Sequence, residues 1–241
     1  MDPTLMEADL MKAAPAVPMT RRCLLALSLS LALAAPAAFA ADRNIDKVNG
    51  SITVDAGERY GDLATVNGSI NIGASARVAD AETVNGSIRV SEKVQAGELS
   101  TVNGSIRVGT NVTINDDAST VNGSIFVDRG GTVRGNVETV NGAIGLVDTD
   151  VGGGIETVNG DVTVGVGSHV KGGIHYQKPG KQWISFGKRK PPRVVIGPNA
   201  RVDGPLVFER AVVLYVHGTA SIGPVTGATA IRYDGATPPA R

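Results

Sequence analysis

Val102-Asn103-Gly104-Ser105-Ile106-Arg107-Val108 sits near the middle of a chain of 241 residues, and its neighbours on both sides repeat it. Upstream stand Val84-Asn85-Gly86-Ser87-Ile88-Arg89-Val90 and Val66-Asn67-Gly68-Ser69-Ile70-Asn71-Ile72. Downstream stands Val121-Asn122-Gly123-Ser124-Ile125-Phe126-Val127. Val-Asn-Gly begins at residues 48, 66, 84, 102, 121, 140 and 158, at intervals of 18, 18, 18, 19, 19 and 18. A period held this tightly means one short unit stacked on copies of itself. Within each unit apolar β-branched residues alternate with polar ones. That period of two specifies strands, and no stretch carries a helical period over a useful length.

A unit of 18 residues is too short to own a core, but it holds three short strands joined by tight turns. The expected fold is all-β: a single-stranded β-helix, or β-solenoid, of about nine coils. With coils about 4.8 Å apart, the rod is roughly 40–45 Å long. Inward columns are expected from Val at the first position of each unit, Ile or Val at the fifth, and Ile, Val or Leu at the seventh. A second apolar cluster recurs at Val78, Ile114, Val133 and Val170.

Asn-Gly is also the strongest short hairpin signal, so an antiparallel meander of Asn-Gly hairpins is the competing fold. A meander needs only turn-competent residues. This chain keeps Thr-Val-Asn-Gly-Ser-Ile in nearly fixed order, which in-register stacking favours because each residue then lies on its own copy. Asn49, Asn67, Asn85, Asn103, Asn122, Asn141 and Asn159 form one expected file, able to pass amide hydrogen bonds from coil to coil. Gly50, Gly68, Gly86, Gly104, Gly123, Gly142 and Gly160 form a second, at a corner expected to need positive φ. The threonines from Thr65 to Thr157 form a third. One-residue insertions are expected near Asn115-Asp116-Asp117 and Arg129-Gly130-Gly131.

Residues 1–40 read as a secretory signal peptide: Arg21 and Arg22, an apolar run from Cys23 to Ala35, then Ala38-Phe39-Ala40 as the cleavage site. Met19 is a natural start for such a signal, so residues 1–18 read as a mis-assigned start. Cys23 is the only cysteine, which leaves the mature chain without disulfides. The expected location is outside the cytoplasm: periplasm, outer surface or medium. That disfavours nucleic acid as a partner.

The solenoid is expected over 41–174, with final coils over 194–229 and a tail over 230–241. Between them, 175–193 breaks the repeat with His-Tyr-Gln-Lys-Pro-Gly-Lys-Gln-Trp-Ile-Ser-Phe-Gly-Lys-Arg-Lys-Pro-Pro-Arg. This insertion holds Lys178, Lys181, Lys188, Arg189, Lys190 and Arg193 with no acid, and adds Trp183 and Phe186. The rest of the mature chain carries 14 basic against 20 acidic residues. Such a segment is the candidate contact for an anionic partner, either envelope glycan or lipid headgroups. Open solenoid ends add a second candidate interaction, end-to-end self-association.

No catalytic, metal or cofactor residues are assigned, and the chain reads as a non-enzyme. His169, His175 and His217 lack metal-ligand spacing. Asp116, Asp117 and Asp128 read as solvated loop acids.

The Thr-Val-Asn-Gly-Ser-Ile-x-Val units over 45–174 resemble the adhesin-labelled β-strand-repeat family of exported bacterial proteins. Residues 194–227, with Val/Ile-Gly-rich coils, resemble bactofilin, a polymer-forming cytoskeletal β-helix. The first resemblance implies an envelope or surface scaffold with adhesion as its use, and the second implies a self-assembling rod. A carbohydrate-active β-helix enzyme is the third reading. Neither family implies catalytic residues here.

Overall fold

The structure, a computed structural model, describes residues 43–178 and 190–239. The expected signal segment lies outside the described residues. The described residues form a β-solenoid with three parallel sheets, two of ten strands and one of seven. The fourth coil shows the plan: Leu99–Asn103 lies in the first sheet, Ile106–Val108 in the second and Thr113–Ile114 in the third. Each strand pairs in parallel with its equivalent one coil away, as Thr101 with Thr120, Ile106 with Ile125, and Thr113 with Thr132. Parallel pairing between coils rules out the meander. Nine coils are followed by two strands of a tenth, Val225–Thr226 and Ala230–Tyr233. The solenoid therefore continues beyond the expected boundary at residue 229, and the tail begins only after Tyr233.

Alternation decides what is inside. In the second sheet Ile106 and Val108 point in while Arg107 points out, as expected. Val78, Ile114, Val133 and Val170 are buried, also as expected. The first sheet corrects one column. Leu99 and Thr101 are buried, whereas Val102 is only half-buried and Val48 is 68% exposed. The valine of Val-Asn-Gly thus faces out and the preceding threonine faces in. A buried hydroxyl needs a partner. Here Oγ1 of Thr65, Thr83, Thr101, Thr120 and Thr139 each donates to the corner-glycine carbonyl of the coil before, at 2.8–3.1 Å. Thr157, the last of the file, is buried with its hydroxyl unpaired among the described residues.

The corner glycines recur in every unit for closeness more than for φ. A Cβ on Gly86, Gly104, Gly123 or Gly160 would lie 1.8 Å from the carbonyl oxygen of the glycine stacked beneath it. Only Gly50, Gly142 and Gly160 of this file have positive φ, and Gly142 at 159° is close to extended. The left-handed residue belongs to a different turn, between the second and third sheets. One residue in each of the first eight coils adopts it there: Gly57, Ser75, Lys93, Asn111, Gly130, Asp148, Gly167 and Asn199. Their backbone N–H groups bond to the next coil, as Lys93 to the Thr110 carbonyl at 2.9 Å and Asn111 to Arg129 at 2.9 Å.

The first inserted residue falls at 115–117, as expected, because Ile114 and Ala96 are paired across 18 residues while Ala118 and Leu99 are paired across 19. The second falls at Arg134-Gly135-Asn136 and not at 129–131. Ile106 pairs with Ile125 and Thr113 with Thr132, so the stretch between them gains nothing. In both places the extra residue sits between the third and first sheets, where a turn lengthens without moving a ladder.

Candidate functional site at the interruption of the ladder

The asparagine file forms. Each Nδ2 donates to Oδ1 of the asparagine one coil earlier, giving six bonds of 2.9–3.1 Å from Asn49 to Asn159. Beside it runs a serine file. Oγ of Ser51, Ser69, Ser87, Ser105 and Ser124 accepts the corner backbone N–H of the next coil at 3.1–3.3 Å. The repeated serine therefore satisfies backbone, the accounting every corner requires.

The serine file ends at Ser124, because Ala143 takes the next serine position, and the asparagine and threonine files end at the eighth coil. Its first-sheet strand is Ile174–Tyr176 and its second-sheet strand is Arg193–Ile196, so the excursion spans 177–192 and replaces the Asn-Gly corner. Four side chains close the break. Arg210, from the coil above, donates through Nη1 to the Val158 carbonyl at 2.7 Å and to Asn159 Oδ1, capping the last asparagine acceptor. Tyr176 takes the threonine position, and its hydroxyl donates to the Gly160 carbonyl at 2.7 Å. Burial pushes its phenol far above the ordinary range. Phe208 stacks next, with ring centroids 5.6 Å apart, so rings fill the corner where the glycine turn is missing. Asp161 takes the serine position and accepts the Arg193 N–H at 2.7 Å.

Of the candidate contact residues, Lys181, Trp183, Phe186, Lys188 and Arg189 lie outside the described residues. Lys178 and Lys190 are exposed at the two feet of the excursion. Arg193 is committed to the rod: its guanidinium lies 4.8 Å over the Tyr215 ring and donates to the Pro239 carbonyl at 2.9 Å. The foot at Lys178 is tied down by Glu209, which accepts from the Lys178 N–H at 3.1 Å and contacts His175 Nε2 at 3.0 Å. Those two bonds, Lys178 first, hold the Glu209 carboxyl below the usual range. Gln177 Nε2 donates to Glu156 Oε2 at 3.1 Å. Arg210, Tyr176 and Glu209 carry no motif. Their only sequence signal is that Tyr176 stands where the repeat places its threonine, and Glu209 and Arg210 where it places its valine and asparagine.

Two shallow depressions lie elsewhere among the described residues. One, of about 350 Å³, lies on the first sheet over Gly154 and Gly173, beside Glu156 and His175. The other, of about 280 Å³, lies on the second sheet over Gly145, between Phe126, Arg107 and Thr163. The histidines are dispersed: His169 Nε2 meets Asp203 at 2.8 Å, and His217 Nδ1 meets Thr219 at 2.9 Å. Among the described residues no three metal-ligating side chains converge. The loop acids have backbone work, since Asp117 accepts the Asn136 N–H at 2.6 Å and Asp128 the Arg129 N–H at 2.8 Å. Asp80, Glu82, Glu98 and Asp117 crowd one edge of the first sheet. Partial burial, and then the neighbouring carboxylates, raise Glu98 to about 7.

Compared with protein-family models, curated proteins and solved structures, the chain matches none.

Proposed function

We propose that this chain is an exported, non-enzymatic β-solenoid scaffold of the bacterial cell envelope, adhesin-like in presenting a cationic segment to an anionic glycan or lipid headgroup. The observation that carries this reading is the repaired interruption. The asparagine and threonine files run up to Asn159 and Thr157 and stop where the segment with six basic residues and no acid enters the chain, whereas the serine file has already ended at Ser124. Arg210, Tyr176 and Asp161 reseal the ladder on either side. A ladder that closes on both sides of an insertion leaves the insertion's sequence to a role other than stacking, and a basic, aromatic sequence suits an anionic partner.

Binding of the full chain to anionic glycans and to vesicles containing anionic lipid tests the reading, alongside K188A/R189A/K190A. A drop of tenfold or more in the triple variant is expected. Equal binding by both proteins removes the insertion from the account. Mass spectrometry of the exported chain, with an N-terminus at Ala41 expected, tests the export step.

A self-assembling rod is the second reading. The strands Arg43–Asn49 and Ile52–Val54 each have one partner strand among the described residues, and Val48 beside that edge is 68% exposed. An open edge of this kind can template another chain. Sedimentation at high concentration separates the readings, because a monodisperse monomer excludes the assembling rod.

A further inference from the structure

The outward column of the second sheet runs Arg89, Arg107, Phe126, Gly145, Thr163 in register, one residue per coil. Arg89 and Arg107 are both exposed. Neighbouring coils hold them about 4.8 Å apart at Cα. Among the described residues neither side chain makes a hydrogen bond or ion pair, and no carboxylate stands within 4.0 Å of either guanidinium. Like charges facing each other across adjacent strands are unfavourable. An alternating pattern with an acid would have relieved this at no cost to the fold, yet the column stacks cation on cation.

Next to the pair the surface changes character. Phe126 is 38% exposed. Its ring leans over Gly145, where an added Cβ would lie 3.2 Å from a ring carbon. The missing side chain at Gly145 opens the depression of about 280 Å³, rimmed by Arg107, Ser105, Ser124, Asp161 and Thr163. Ser105 and Ser124 each accept one backbone N–H and keep a hydroxyl proton to donate.

The geometry points to a binding site for an acidic saccharide along this column, with Arg89 and Arg107 pairing the acid groups, Phe126 packing on a sugar face, and the corner hydroxyls meeting ring hydroxyls. Charge complementarity selects the anion, because two guanidiniums without partners gain charge-assisted, fork-like bonds from carboxylates or sulfates. The aromatic face and the hydroxyl rim select a saccharide over a bare anion. This site goes beyond the presented insertion: it lies on earlier coils, uses none of residues 177–192, and stands whether or not the insertion binds anything.

Affinity electrophoresis and calorimetry on the full chain, with polygalacturonate, a neutral dextran and inorganic phosphate as probes, test it. Polygalacturonate is expected to bind, and dextran is not. R89A/R107A should lose at least tenfold in affinity and F126A about tenfold, while K188A/R189A/K190A keeps this component. The positions changed in the first two variants are all exposed, and an unchanged melting temperature confirms that the fold is intact. No polygalacturonate binding, or binding unaffected by R89A/R107A, overturns the proposal. Full binding in F126A, or phosphate competing as well as the uronate, overturns the saccharide assignment by reducing the column to simple charge attraction.

Discussion

At the scale of single residues, two kinds of glycine position make opposite predictions. At Gly104 the obstacle to a side chain is the Gly86 carbonyl, 1.8 Å from where Cβ would sit. Gly104→Ala should therefore cost about 2–3 kcal/mol, as forced overpacking does, and lower the melting temperature by several degrees. Gly104→Asn should fare no better, since a residue that tolerates left-handed backbone still brings a Cβ. At Lys93 the obstacle is φ alone, at 59°. Left-handed backbone costs a non-glycine residue about 1–2 kcal/mol, partly offset by glycine's own entropy, so Lys93→Gly should stabilise by about 0.5–1 kcal/mol in a thermal melt. The sequence hinted at this second file through Gly57, Asn111, Gly130, Asp148, Gly167 and Asn199. Ser75 and Lys93 hid it, because a stacked turn can hold those residues in a conformation they do not prefer. Arg210→Ala should cost about 1.5–3 kcal/mol by uncapping Asn159 and the Val158 carbonyl. Hydrogen exchange should then rise first around the eighth and ninth coils.

At the scale of elements, the first sheet couples stability to pH along its acidic edge. Glu98 is raised from 4.5 to about 7, and Glu82 is raised as well, in both cases first by burial and then by neighbouring acids. The folded chain therefore binds protons that the unfolded chain has released between those values. Its stability contribution is complete below about 4.5 and is lost as pH rises through about 7. With the charge half-screened by solvent, the loss is about 1 kcal/mol. The melting temperature should be a few degrees higher at pH 5 than at pH 8, and Glu98→Gln should remove most of that difference. Asp203 and Glu209, both lowered, act only toward acid pH and do not offset it. Strand alternation was legible throughout, but in the first sheet its phase was not. Val and Thr are near-isosteric, and hydrophobicity favours valine inside. The choice is made by the glycine carbonyl of the preceding coil, which gives a buried hydroxyl a partner and would itself go without that bond if valine took the place.

At the scale of the whole molecule, stacked coils make stability close to a sum over nearest neighbours. Excising residues 84–101 joins Thr83 to Val102, and Thr83 and Thr101 are register partners, so the shortened rod should keep its fold with a modestly lower melting temperature. Excising 84–100 instead leaves Thr83 beside Thr101, one residue too many inside a first-sheet strand, so that Glu82 falls opposite inward Leu63 unless the strand bulges there. That variant should melt lower than the 84–101 deletion, as a thermal melt followed by circular dichroism would show. The repeat also dictates the architecture. A period of 18 or 19 residues, strand alternation and a fixed corner sequence admit a stacked coil, and parallel register is its direct consequence. The sequence by itself thus determined the unit, its copy number to within one coil, the asparagine ladder and the place where the ladder breaks. Only the tertiary structure decided what each repeated residue is for. Glycine's closeness to its own copy, threonine's carbonyl, serine's N–H and Arg210's cap are all contacts with the neighbouring coil. The bare Arg89–Arg107 pair is likewise a relation across 18 residues, and such partners are set by stacking rather than by anything adjacent in the chain.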